Sequence, residues 1–271
     1  MYWIDTRGFK LALEQTKAAT SLVDAFVPGQ RLEVCPEQDA YLLGMEFVHP
    51  FPICRADGVF LTARDVQGPT SRELRFADFR FTVSALRSAL YWISVEDKTT
   101  ALVMEHGQRL QASQATIVQW AKFSEEVCAW GRGMRVWANL LRHHGGSAEE
   151  VGRKMKTWLS AAQTANNARY AMQEALKIKG LGVSFASKHL RMLYPRRYGV
   201  LDGVLETGLG FAMNVEGFAF FTQCLHDFLA ENAEHLGPDF SSVADFEWAL
   251  FALVRAKVRN SPPEEGGSSM F

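Results

Sequence analysis

Before about residue 107 short runs dominate in which the apolar side chains of this chain alternate. From about Ser113 they recur at every third or fourth, and this change of period constrains the fold more than any other feature. Ile117, Trp120, Phe123, Val127 and Trp130 mark one helical stripe, and Met134, Trp137 and Leu141 a second. Ser147 and Glu150 have the spacing of a capping box that opens a helix carrying Val151, Met155, Trp158 and Leu159. Further helices are expected near 165–177, 183–193, 203–209, 216–231 and 241–257. The front alternates instead, over 58–62, 74–81, 89–95 and 101–105, and the last two runs flank 96–100, which reads as a hairpin loop. The expected class is α+β, with a mixed sheet and helix region over 1–112 that contains an antiparallel sheet. A mostly helical domain follows over 113–260, and a tail over 261–271, short of apolar groups, is expected to be disordered.

Composition excludes more than it selects. With 271 residues, 48% of them hydrophobic, the chain buries one large core or two modest ones without disulfides. No apolar run approaches the roughly 20 residues of a membrane span, and residues 1–7 lack the basic and apolar regions of a signal peptide, so a cytoplasmic location and no membrane partner are expected. Cys35, Cys54, Cys128 and Cys224 stand far apart, with no C-x-x-C pair, and no metal or other cofactor is expected. His143-His144 reads as a helix end, where positive charge suits the dipole. A net charge of −1 neither requires nor excludes a polyanionic partner.

The informative segment is 176–205, LKIKGLGVSFASKHLRMLYPRRYGVLDGVL. Gly180-Leu181-Gly182 separates two helical stretches, and the first N–H groups of the second, at Val183 and Ser184, have no partner within their helix, which makes an anion site. Such a helix-hairpin-helix grips a nucleic acid by its backbone without reading sequence. Asp202, in the setting Val200-Leu201-Asp202-Gly203, follows Ser184 by 18 residues at the start of another helix.

Hairpin, spacing and the Leu-Asp-Gly context together resemble the helix-hairpin-helix base-excision DNA glycosylases, whose hairpin reads L-P-G-(V/I)-G and whose essential aspartate follows at about this distance. Lys179 stands where that pattern usually has proline. The Leu-Asp-Gly context is similar to that of the MutY-like adenine glycosylases. The iron–sulfur cysteines of that group are missing, which makes the chain resemble the cluster-free 8-oxoguanine and alkyl-base branch, where a sheet-containing region often comes first. The resemblance is specific over about thirty residues and does not cover the front.

What the resemblance implies is a monofunctional hydrolase acting on double-stranded DNA that excises a damaged or modified base, a purine before a pyrimidine, from a flipped nucleotide. Asp202 would stabilise the sugar cation and activate water, and as the residue ahead of a helix it is equally an N-cap. Ser184 falls where the bifunctional lyases of the superfamily carry their Schiff-base lysine. Lys188, one turn on, returns to within about 40° of the same face and could supply an amine, or equally a phosphate contact or a solvated charge. Backbone contacts are expected from Lys179, Gly180, Leu181, Gly182, Val183, Ser184, Arg191, Arg196 and Arg197, in a stretch with no acid between Lys177 and Leu201. The competing reading is a glycosylase-like protein that binds nucleic acid or a protein partner without cleaving. Proteins similar to the 8-oxoguanine enzymes but missing the lysine also occur as accessory components of bacterial antiphage systems.

Overall fold

The computed structural model describes residues 2–5, 31–34, 53–56, 59–62, 71–112, 114–165 and 167–260. Six strands, β1 (Tyr2–Asp5), β2 (Arg31–Val34), β3 (Ile53–Ala56), β4 (Val59–Thr62), β5 (Glu73–Phe76) and β6 (Phe79–Thr82), form one sheet in the order β1-β2-β3-β4-β6-β5. Neighbours run antiparallel except β4 and β6, which pair in parallel through Val59 with Arg80 and Phe60 with Phe81, so the expected antiparallel sheet is mixed at one seam. On β5 and β6 burial alternates, putting Leu74, Phe76, Phe79 and Phe81 on the covered face, where Phe79 stacks on Phe60.

The described helices are α1 (Val83–Glu96), α2 (Lys98–Ala112), α3 (Ile117–Trp130), α4 (Met134–His143), α5 (Ala148–Thr164), α6 (Ala168–Leu176), α7 (Val183–Leu193), α8 (Gly203–Leu209), α9 (Val215–Leu236) and α10 (Val243–Asn260). The chain is therefore α+β and mostly helical. The runs at 89–95 and 101–105 are not strands: they lie within α1 and α2. A short run that is apolar on all sides has no distinguishing period, and α1 buries Ala85, Leu86, Ala89 and Ile93 at helical spacing. The expected hairpin loop between them is a helix cap, in which Asp97 Oδ1 accepts the N–H groups of Thr99 and Thr100.

Two compact units divide the chain: residues 1–93 with 249–271, and residues 94–248. The second begins ahead of the change of period and holds every candidate site residue. Within it α3 packs along α5, burying Trp120, Phe123 and Val127 from one and Val151, Met155 and Leu159 from the other. Ser147 caps α5 by accepting the Glu150 N–H, but the Glu150 carboxylate turns to Arg153 instead of back to the cap, leaving the expected capping box half made. A complete one stands at Thr116 and Gln119. Among the described residues no helix is long and apolar enough to cross a membrane. The tail expected over 261–271 lies outside the described residues.

Candidate functional site

The hairpin predicted at 180–182 joins α6 to α7. Ile178, Leu181 and Val183 are buried and anchor the turn, while Lys179 and Gly182 are exposed. Gly180 has φ +94°, a conformation that strains any residue with a Cβ, and the Leu181 N–H closes the turn on the Ile178 carbonyl at 3.1 Å. Gly182 is the N-cap of α7 and offers no side chain to its first turn. The first backbone bond within the helix is Ala186 N–H to the Gly182 carbonyl, at 2.9 Å, so the N–H groups of Val183, Ser184 and Phe185 have no carbonyl to meet inside it.

Four residues along, the same helix takes hold of the aspartate segment. The Ser187 hydroxyl donates to the Ser184 carbonyl at 2.8 Å and accepts the Leu201 N–H at 3.1 Å, which ties the segment before Asp202 to α7. Asp202 then caps α8 through one oxygen: Oδ1 accepts the N–H groups of Val204 and Leu205 at 3.1 and 3.2 Å. Its other oxygen, Oδ2, lies 3.6 Å from Lys188 Nζ, which in turn donates to Ser184 Oγ at 3.0 Å. Lys188 and Asp202, at 9% and 17% side-chain exposure, are largely but not fully sealed from solvent. The structure thus brings Ser184, Lys188 and Asp202 together, with the amine of Lys188 delivered beside the Ser184 side chain from the next turn.

Burial lowers the Lys188 ammonium from its ordinary value, and the nearby carboxylates of Asp202 and Glu247 hold it back up. The Lys188 stem runs under the turn after α3, where a Cβ on Gly131 would meet Lys188 Cδ at 2.8 Å and one on Gly133 would meet Phe185 Cζ at 1.9 Å. Glycines here let a helix terminus close over the lysine. Cys128 is buried alongside, and desolvation pushes its thiol up to about 12, which removes it as a nucleophile at neutral pH.

The expected cationic stretch divides. Arg191 is 1% exposed and cannot touch a phosphate. Its Nε donates to Glu247 Oε2 at 3.2 Å, and its guanidinium lies over the rings of Trp130 and Trp248 at 5.7 and 5.1 Å. Burial pushes the Glu247 carboxyl up, against the pull of Arg191. Arg197 donates to the carbonyls of Ala162, Gln163 and Ala165 and so caps the C-terminal end of α5. Arg196 and Lys179 are exposed, and Lys177, at the end of α6, pairs with Glu174 on that helix. Of the expected backbone contacts, Lys179, Gly182, Ser184 and Arg196 are disposed to meet a ligand, and Leu181 and Val183 contribute at most main-chain N–H groups.

Sequence reasoning missed Ser187 and Glu247. Ser187 carries no motif. Glu247 had one visible sign, a lone acid amid the apolar stripe of α10, but its partner stands 56 residues away. No family model, no curated protein and no solved structure matches this chain at a significant level.

Proposed function

We propose that this protein is a monofunctional DNA N-glycosylase, acting in the cytoplasm, that excises a damaged or modified base, in the first instance a purine, from a nucleotide flipped out of the duplex. The observation that carries the reading is the coupling of hairpin and carboxylate through one helix. The exposed, uncapped start of α7 suits a phosphate. Ser187, on the same helix, ties in the segment that presents Asp202, so a backbone held at the hairpin is in register with the acid.

Heterolysis of the bond from C1′ to the base leaves the electron pair on the base, which takes a proton from solvent, and develops positive charge on the sugar. A carboxylate held beside C1′ offsets that charge, then accepts a proton from the water that adds there. Capping suits Asp202 to this work, since Oδ1 fixes the group while Oδ2, 3.6 Å from Lys188 Nζ, is left out of the cap. The assay is base release from duplexes carrying a panel of modified bases. Release that leaves an intact abasic strand, cut only by alkali or heat, is the expected product.

One observation favours a second reading. Lys188 presents a desolvated amine beside Ser184 and Asp202, and an amine whose ammonium is disfavoured is a better nucleophile. In that reading the neutral amine attacks C1′ as the base departs and the opened sugar becomes a Schiff base. Borohydride then traps a protein–DNA adduct that disappears in Lys188→Ala. The monofunctional reading expects none, because Ser184 stands where a lyase of the superfamily would carry its amine.

A further inference from the structure

Beside the hairpin lies a groove of about 660 Å³ that base excision does not use. Its walls come from the end of α4 at His143 and His144, from one face of α5, and from the end of α6 running into the turn. Four cations line it, Arg153, Lys154, Lys177 and Lys179, against two carboxylates, Glu150 and Glu174. Exposure matters more than the count. Glu150 and Glu174 are 33% and 27% exposed, whereas their partners Arg153, Lys154 and Lys177 are all more than half exposed, so the cations present more of themselves to solvent than the acids they pair with. Lys179 has no ion-pair partner among the described residues. The floor is apolar, formed in part by Trp158 and Ile178. Within this wall, His144 Nε2 is buried without a hydrogen-bond partner among the described residues.

We propose that this groove is a second nucleic-acid contact, taking the sugar-phosphate backbone onward from the hairpin. The inference rests on the DNA reading above and extends it from the turn, which the groove shares at Lys177–Lys179, to the face of α5 at Arg153 and Lys154. Sugar-phosphate backbone alternates an apolar sugar with a monoanion, and an apolar floor beside exposed cations is complementary to both. Lys177 and Lys179 belong to the turn and to the groove at once, so a strand seated at the start of α7 has a continuous cationic path to Arg153 and Lys154. Contacts of this kind add affinity without sequence preference, and each phosphate neutralised steepens the salt dependence by about 0.9 in log–log slope.

The test is binding of a labelled duplex by the whole protein across a salt series, for wild type, Lys179→Glu and the double variant Arg153→Gln with Lys154→Gln. Both substituted α5 side chains are exposed, so an unchanged thermal midpoint verifies folding. The double variant is expected to lose on the order of tenfold in affinity near 0.1 M salt, with a slope shallower by about 1.8. Glu150→Gln, which releases the two α5 cations, is expected to tighten binding. If the double variant binds like wild type while Lys179→Glu weakens binding, the groove is overturned and the hairpin reading stands. If neither variant weakens binding, both fall. Displacement of the duplex by polyglutamate at equal charge concentration would also overturn the proposal, by marking the groove as a surface for acidic protein.

Discussion

Asp202 divides its two oxygens between two partners: Oδ1 caps α8 and Oδ2 lies 3.6 Å from Lys188 Nζ. Its position was legible in the sequence, because a hairpin, a spacing and a Leu-Asp-Gly context are all local. The residue that holds it there was not, because Ser187 acts on Leu201 across 14 positions with no pattern to announce it. Ser187→Ala leaves the buried Leu201 N–H without an acceptor, at a cost of about 1–3 kcal/mol. Denaturant unfolding checks that cost. If Ser187 also aims Asp202, base release slows while duplex affinity stays as it was; an unaltered rate in the destabilised variant limits Ser187 to a structural part.

Elements were read best where a helix start is marked by local residues and worst where a short apolar run carries no such mark. The expected spans 183–193 and 203–209 coincide with α7 and α8, since each has a recognisable start, at Gly182 and at Asp202. α1 and α2 were misread because alternation in a short apolar run does not distinguish a buried helix from a strand. Packing between elements makes its own pH signature. His189, on α7, is wholly buried against α3: Nδ1–H donates to the Phe185 carbonyl at 2.6 Å, and Nε2 accepts the Ser124 hydroxyl at 2.9 Å. Desolvation lowers its pKa to about 4. The unfolded chain takes this proton near pH 6.5 and the folded one only near 4, so stability from this source is whole above about pH 6.5 and falls as the pH drops. By about pH 4 the loss reaches about 3 kcal/mol, which a series of urea midpoints measures. An NMR titration placing His189 near 6.5 would refute the arrangement.

Over the whole molecule the net charge of −1 hides a strongly uneven distribution. The sequence made the stretch after Lys177 look uniformly basic, yet folding sorts its cations by partner. Arg191 goes inward to Glu247 and Arg197 to the end of a helix, while Lys179 and Arg196 are left outward. Those fates depend on contacts 32 to 56 positions apart, which no local reading resolves. What survives is a unit, residues 94–248, in which turn, carboxylate, buried lysine and groove stand on adjoining helices. The account depends most on the carboxylate. Single-turnover base release by wild type and Asp202→Asn, on the modified duplex the wild type cleaves best, is the measurement that bears on it directly. Asparagine keeps the shape and an oxygen for the cap, so folding and duplex affinity are expected to persist while release slows 10²- to 10³-fold, about 2.7–4 kcal/mol of barrier. Release at the wild-type rate from the folded variant would contradict the account and leave Asp202 a helix cap alone.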